Sequence, residues 1–150
     1  MRISVIGGSS IDGETAAVAE ALGERLAERG HAVVCGGLGG VMEAVCRGAR
    51  TAGGETIGIL PTDERGDANP HVTTPIATGM GHARNALVVM NGDAAIAIDG
   101  AGGTLSEIGL ALAQGRPVAG LDTHEFDGVE PVDSPAAAVE YVERASVGDY

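Results

Sequence analysis

A short apolar strand, a glycine-rich turn and a helical pattern follow one another repeatedly along this chain, and this order limits the fold more than any other feature. The β-branched run Ile3–Ile6 ends at a Gly-Gly-Ser-Ser turn, after which apolar residues recur at helical spacing until Gly30. The same order recurs from Ala32–Cys35 through the glycine run Gly36–Gly40. Alternating strands and helices predict a parallel sheet covered on both faces. We therefore predict an α/β fold, a Rossmann-like three-layer α/β/α sandwich with a mainly parallel sheet.

The remaining elements follow the same alternation. Further strands are predicted at Thr56–Leu60, Thr73–Thr78, Ala94–Ile98 and, as the last strand, Pro117–Leu121; further helices are predicted at His82–Met90, from Gly100 through Ala113, and from Ser134-Pro135 onward. Residues 62–72 are polar and aperiodic, which predicts a mobile loop in the position of a lid. An acidic connection is predicted after Leu121. The length of 150 residues predicts one domain spanning 1–150.

The charge restricts the class of partner. The chain carries a formal net charge of −12, and all 9 of its basic residues are arginine. Nucleic-acid surfaces depend on basic side chains, so this balance predicts no nucleic-acid partner. Without lysine the chain offers neither a Schiff base nor a P-loop lysine. An acidic, lysine-free composition is typical of halophilic proteins, and a high genomic GC content is an alternative explanation.

Cysteine usage and hydropathy indicate the compartment. The only two cysteines, Cys35 and Cys46, form no CxxC motif and are predicted to be small buried side chains in a reduced setting. We predict no metal site. No apolar stretch approaches the roughly 20 residues that cross a bilayer, and no signal peptide is evident, so no membrane partner and a cytoplasmic location are predicted.

The glycine turns are candidate phosphate sites, because each leaves a strand at the carboxyl edge of the sheet, where helix N-termini present free backbone N–H groups. The alternative is that these glycines only permit tight turns. No GxGxxG fingerprint follows the first strand, which disfavours NAD or FAD. The candidate ligand-binding residues in these turns are Gly8, Ser9, Gly36, Gly37, Gly39, Gly40, Gly100, Gly102, Gly103 and Thr104.

Three side chains near these turns carry chemistry of their own. Arg84 follows a glycine turn and is placed to bind phosphate or carboxylate, or to pair with a surface acid. Glu107 lies one helical turn after Thr104, where it serves either as a functional carboxylate or as the second half of a capping box. His82 is a second candidate anion ligand, with a structural role as the alternative.

These residues resemble those of a known Rossmann-like group, which contains the LONELY GUY nucleotide phosphoribohydrolases and the molybdenum cofactor carrier proteins. The resemblance covers about residues 2–121 and rests on three motifs: the glycine run leading into Val41-Met42-Glu43-Ala44-Val45, the pair Arg84-Asn85, and Gly-Ala-Gly-Gly-Thr-Leu-Ser-Glu at 100–107. The chain is most similar to the carrier-like branch. The resemblance implies a homo-oligomer, either a dimer or a tetramer.

The resemblance also implies two functions. In the hydrolases, an arginine and a glutamate that match Arg84 and Glu107 are catalytic. Several of their motif residues differ here, since Asn85 replaces a lysine, Asp99 a proline, Ala101 a glycine and Ser106 a glutamate. These departures disfavour hydrolysis, whereas the glycine turn expected to bind phosphate is preserved.

The leading interpretation is therefore a protein that binds a phosphorylated, nucleotide-like small molecule at the glycine-rich edge. No cofactor is required, and molybdenum cofactor is one candidate as a carried ligand. The alternative is a nucleoside 5′-monophosphate phosphoribohydrolase, an N-glycosidase in which Arg84 grips the phosphate and Glu107 stabilises positive charge on the ribose.

Overall fold

The computed structural model describes residues 1–147, so the final three residues of the predicted 1–150 domain lie outside the described part. Within these residues the chain forms seven strands and five α-helices, which alternate except that β3 and β4, and β6 and β7, follow one another without an α-helix between them. The strands are β1 (Arg2–Gly7), β2 (Ala32–Cys35), β3 (Thr56–Leu60), β4 (Thr74–Ala77), β5 (Ala94–Ile98), β6 (Val118–Leu121) and β7 (Val129–Val132). The helices are α1 (Gly13–Glu28), α2 (Val41–Thr51), α3 (Asn85–Met90), α4 (Gly102–Ala113) and α5 (Pro135–Val147).

The strands form one sheet in the order β4-β3-β2-β1-β5-β6-β7, and every neighbouring pair is parallel. The predicted Rossmann-like α/β fold is thereby confirmed. The first four strands extend the sheet away from β1, and the chain then returns to place β5 on the other side of β1, with Ile3 opposite Ala94. Successive strands are therefore added on one side of β1 up to β4 and on its other side from β5 onward. A crevice opens beyond the carboxyl ends of β1 and β5, where this order reverses.

Helices cover both faces of the sheet. One apolar core lies between the sheet and α1, α2 and α5, and the other lies beneath α3 and α4. The first core allows an unusually close contact between α1 and α2, because a Cβ on Gly23 or Gly48 would collide with the backbone of the opposite helix. These glycines bring the two helices together backbone to backbone, and the chain fills its cores with small aliphatic side chains.

The prediction that Pro117–Leu121 is the last strand was wrong. The segment expected to be an acidic connection contains β7, which pairs with β6 at the edge of the sheet. The strand is short, and Glu130 and Pro131 are exposed. An edge strand has no neighbour on one side, so it can contain a proline and a charged residue, both of which are disfavoured in a central strand.

Two other predictions need refinement. The segment predicted as one helix at His82–Met90 is a short 3₁₀ helix, Gly81–Arg84, followed by α3. The predicted 62–72 loop contains a 3₁₀ helix at Arg65–Asp67, and Asn69 ties it to the second glycine turn through hydrogen bonds to the carbonyls of Gly37 and Leu38. At the last helix the predicted cap is confirmed, since the Ala137 amide donates to Ser134 Oγ.

The two cysteines are buried free thiols, as predicted, with their sulfur atoms 3.5 Å apart. The hydrogen bond with Cys46, together with burial, raises the pKa of Cys35. Cys35 is therefore a neutral packing residue near neutral pH. Within residues 1–147, no helix is long and apolar enough to cross a membrane.

Candidate functional site

A cavity of about 370 Å³ opens at the carboxyl edge of the sheet, beside the crevice between β1 and β5. Its walls come from the turns after β1, β2 and β3, from the 3₁₀ helix before α3, and from the start of α4. These segments are distant in sequence and meet because parallel strands all end at the same edge. The predicted site residues that line the cavity are Gly8, Ser9, Gly36, His82, Arg84, Asn85, Gly103, Thr104 and Glu107.

The other predicted glycines do not line the cavity. A Cβ on Gly37 would lie 2.7 Å from Leu60, and one on Gly40 would collide with the turn after β1. The Val41 amide donates a hydrogen bond to the Gly8 carbonyl in the same region. Gly40 therefore lies at the contact between the turn after β1 and the turn after β2. Gly40 also has a φ of +66°, which favours glycine. The remaining predicted residues outside the wall are Gly39, Gly100 and Gly102.

The start of α4 presents free backbone donors to the cavity. Ala101 is the N-cap and provides no side-chain hydrogen bond, and the first intrahelical bond runs from the Leu105 amide to the Ala101 carbonyl at 3.1 Å. The amides of Gly102, Gly103 and Thr104 precede that bond and have no acceptor among the described residues. Gly103 and Thr104 line the cavity, and a Cβ on Gly103 would meet nothing within 4 Å, so no neighbouring atom covers that side of its backbone. Free amides at a helix N-terminus bind anions.

Arg84 brings a cation to the same cavity. Its residue is only 8% exposed, Asn85 Oδ1 accepts a hydrogen bond from Nη1, and Nε is buried with no partner in the described chain. A Cβ on Gly36 would lie 2.6 Å from Nη2, so Gly36 leaves the space that the guanidinium fills. Burial lowers the pKa of Arg84, and the nearby Glu107 opposes that effect. A buried donor without an acceptor is costly, and an anionic ligand would supply the acceptor.

Glu107 is the second charged side chain in the cavity wall. It is also 8% exposed, and its carboxylate has neither a hydrogen bond nor an ion pair within residues 1–147. Burial raises the pKa of Glu107 to about 7, and the positive charge of Arg84 lowers it by a smaller amount. The carboxyl group therefore changes its protonation state near neutral pH.

The capping-box alternative for Thr104 and Glu107 was wrong. The helix begins at Gly102, with Ala101 as its N-cap, so Thr104 lies inside the first turn and cannot serve as the cap. Gly102 and Gly103 are helical, so α4 begins about one turn before the start that a capping box at Thr104 would indicate. Both side chains are buried and face the cavity instead.

The predicted neighbours of Arg84 differ in their burial. Asn85 is 5% exposed and orients the guanidinium, whereas His82 is exposed and lies at the wall of the cavity. Among the residues that the structure describes, no group of three or more His, Cys, Asp and Glu side chains is arranged to hold a metal ion.

The sequence analysis missed the apolar wall of the cavity. Val5, Ile6, Leu38, Met42 and Pro61 line it, together with the polar residues already named. Leu38 interrupts the glycine run Gly36–Gly40, and an apolar side chain in such a turn was the signal that could have indicated a ligand-facing position. Because the wall is partly apolar, the cavity can hold a flat ring as well as an anion.

No residue from 62–72 lines the cavity, so that loop does not form part of the wall as a closed lid would. The elements that do form the wall place the free amides at the start of α4, a buried arginine, a carboxyl group and an apolar surface in one space. Such a combination is chemically suited to a small molecule that has an anionic end and a less polar body.

This chain is similar to known proteins over nearly its whole length. Residues 1–147 match the model of the SLOG cluster4 family. An uncharacterized protein of Archaeoglobus fulgidus is 43% identical over 148 residues, which cover 98% of this chain and 97% of that protein.

Two solved structures are similar over nearly the whole chain. The molybdenum cofactor binding protein of Rippkaea orientalis is 33% identical, with a TM-score of 0.89 and coverage of 95% of both chains. The molybdenum cofactor carrier protein of Chlamydomonas reinhardtii is 30% identical, with a TM-score of 0.88 and coverage of 97% of this chain and 98% of that chain. The predicted resemblance to carrier proteins is thereby confirmed, and the chain belongs to the SLOG cluster4 family.

Proposed function

We propose that this protein binds a phosphorylated, nucleotide-like small molecule in the cavity at the carboxyl edge of the sheet, which is lined in part by β1 and the start of α4. The observation that carries the proposal is the buried Arg84 Nε, which has no acceptor within residues 1–147 and lies in the same cavity wall as the uncapped start of α4. Native proteins rarely leave such a donor unsatisfied. A phosphate would accept from Arg84 and from the amides of α4 together.

The size and polarity of the cavity support a mononucleotide-sized ligand. Its volume of about 370 Å³ lies near the lower end of the range for small-molecule sites. The apolar residues Leu38 and Met42 offer a surface for a ring. Molybdenum cofactor combines a pterin ring with a phosphate, and both structural neighbours described above are named for binding it. It is therefore the carried ligand that we propose first.

Binding is tested with AMP and adenosine, two probes that share a ring and a sugar and differ in the phosphate. We expect calorimetric titration to show AMP binding and much weaker adenosine binding. Equal affinity for the two compounds would contradict the phosphate site. Native mass spectrometry of gently purified protein then shows whether a ligand copurifies, and a mass that matches a phosphorylated pterin would support a carrier role.

One observation favours a second candidate function, hydrolysis of the N-glycosidic bond of nucleoside monophosphates. The Glu107 carboxyl group lies in the same cavity wall as Arg84, and burial raises its pKa to about 7. When ionised, this carboxylate would stabilise the positive charge that develops on the ribose. Release of adenine from AMP, measured by chromatography, decides between a binding protein and a hydrolase.

A further inference from the structure

The connection between β6 and β7, residues 122–128, contacts the turn that leads into α4. Thr123 Oγ1 donates a hydrogen bond to the Asp99 carbonyl at 2.6 Å. His124 Nε2 lies 3.1 Å from the Ala101 carbonyl and carries a proton in this contact, because a carbonyl oxygen only accepts. Neither side chain lines the cavity. Both contacts therefore reach the cavity only through the backbone of the turn.

That turn has little intrinsic rigidity. Asp99 has a φ of +52° and Gly100 a φ of +109°, conformations that L side chains rarely adopt. Gly102 and Gly103 follow, and a Cβ on either would meet no atom within 4 Å, so no neighbouring group packs closely on that side of the backbone. Glycine loses more conformational freedom on ordering than any other residue. The turn therefore needs contacts from outside its own sequence to keep one conformation.

The two contacts fix two peptide units of the turn that leads into Gly103 and Thr104, which line the cavity. A trans peptide unit is planar, and its carbonyl and N–H point in opposite directions. The bond from Thr123 fixes the Asp99 carbonyl and so the Gly100 N–H, and the contact with His124 fixes the Ala101 carbonyl and so the Gly102 N–H. The Ala101 carbonyl is also the first acceptor of α4. Rotation of either peptide unit would shift the backbone that leads into Gly103 and Thr104, which line the cavity.

We propose that Thr123 and His124 are positioning residues that hold the start of α4 in its anion-binding conformation. This inference rests on the proposed function for its effect on affinity. It does not depend on that function for its effect on the free protein, where the two contacts already restrain the turn.

The test compares pairs of variants that differ in the hydrogen-bonding group. Thr123→Ala and Thr123→Ser both lack the methyl group, and only the serine variant keeps the hydroxyl. His124→Ala removes the donor, and His124→Gln keeps an N–H that can reach a carbonyl. Hydrogen–deuterium exchange of residues 99–105 in the free protein is the first measurement. We expect faster exchange there in Thr123→Ala than in Thr123→Ser, with the exchange of β1 and α1 unchanged.

Affinity for AMP is the second measurement. We expect Thr123→Ala to bind AMP about fivefold more weakly than Thr123→Ser, which is the effect of one neutral hydrogen bond. In the same way, His124→Ala should bind AMP more weakly than His124→Gln. The two members of each pair should have the same affinity for adenosine. A merely structural role would lower the melting temperature without separating AMP from adenosine.

The outcomes separate this inference from the proposed function. If the wild-type protein fails to bind AMP, the phosphate site is wrong, and the exchange measurement still decides whether Thr123 and His124 hold the turn. If the members of each pair exchange equally in residues 99–105, the positioning role is overturned whatever the affinity. Should Thr123→Ala fail to melt cooperatively, the His124 pair alone decides.

Discussion

At the scale of single residues, Arg84 and Glu107 are two buried opposite charges that share a cavity wall without forming an ion pair. Burying an unpaired charge is costly, and a direct ion pair would recover part of that cost. The structure instead leaves the guanidinium Nε and the carboxylate without partners in the described chain. Both groups are therefore available to a ligand, which is the arrangement expected of a binding site.

The first prediction concerns Arg84. We expect Arg84→Ala to weaken AMP binding by between roughly tenfold and a hundredfold, because a charge-assisted hydrogen bond contributes about 1.5–3 kcal/mol. Arg84→Lys should have an intermediate affinity, since lysine keeps the charge and loses the Nε–H and the planar fork. Calorimetric titration of the two variants is the measurement. An unchanged affinity in the alanine variant would remove Arg84 from the site.

The second prediction concerns the pH dependence of stability. The folded protein holds the pKa of Glu107 at about 7 against an ordinary value of 4.5. Between these values the unfolded chain releases the Glu107 proton and the folded chain keeps it, so the contribution of Glu107 to stability falls as pH rises from about 4.5 to about 7. The stabilisation is fully present below 4.5, and its loss by pH 8 amounts to roughly 3 kcal/mol.

Glu107→Gln removes this dependence, because glutamine has no proton to lose. Chemical denaturation at several pH values should show that the difference in unfolding free energy between the variant and the wild type grows in favour of glutamine from pH 5 to pH 8. The same variant tests catalysis. If the wild type releases adenine from AMP, release should collapse in Glu107→Gln, and persistent release would exclude Glu107 as the catalytic group.

At the scale of elements, the turns after β1 and β2 fit together because glycines remove side-chain bulk at their contacts. Gly36 makes room for the guanidinium of Arg84, and Gly40 approaches the turn after β1. The start of α4 differs, since its glycines leave open space and expose backbone amides. One residue type thus has two uses on the same edge: close packing in the first two turns and ligand access in the last.

The third prediction follows from the space at Gly36. A Cβ there would lie 2.6 Å from Arg84 Nη2 and 2.7 Å from Met42 Sδ, so Gly36→Ala should displace the guanidinium and weaken AMP binding. The matched control is Gly66→Ala, at a site where a Cβ would meet nothing within 4 Å. Calorimetric titration should show a loss of at least about fivefold for Gly36→Ala, comparable to one lost hydrogen bond, and none for the control. Equal affinities would mean that the cavity accommodates the methyl group without moving Arg84.

At the scale of the whole molecule, charge is the dominant feature. The chain has 21 acidic residues against 9 basic ones. In the described part, only Glu20 and Glu143 accept ion pairs, from Arg47 and from Arg29 with His31. Most carboxylates therefore repel one another without local compensation, which destabilises the compact state.

The fourth prediction is that salt stabilises the fold and weakens the ligand complex. Between 0.1 M and 1 M KCl the Debye length falls from about 10 Å to about 3 Å, so repulsion among the carboxylates is screened. Thermal melts should show a melting temperature that rises with KCl, while AMP affinity falls because the attraction to Arg84 is screened as well. A melting temperature that falls steadily with KCl would refute the prediction of a halophilic protein. The predicted dimer or tetramer stays a prediction, for light scattering in the same buffers to test.

The extent of successful prediction differs between the fold and the site. Central strands such as Ala94–Ile98 are buried on both faces and form uninterrupted apolar runs, so their bounds were predicted correctly. The edge strand β7 was missed because it has only four residues, which include the charged Glu130 and Pro131. In the candidate site, the glycine turns that help to line the cavity were predicted from the sequence, and their ligand-binding role stays a prediction. The roles of Gly37 and Gly40 in packing were not predicted, since a glycine that packs and a glycine that binds look the same in a sequence.

The sequence by itself determined the parallel α/β fold, the edge at which the glycine turns meet, and the residue types available there, because these depend on local periodicity and on the shared direction of the strands. Only the tertiary structure decided that Arg84 Nε is buried without a partner in the described chain, that the pKa of Glu107 rises to about 7, and that Thr123 and His124 contact the turn before α4. These properties depend on desolvation and on contacts between distant segments. Desolvation and long-range contacts cannot be read from residue spacing along the chain, because they arise only when the sheet brings distant segments together.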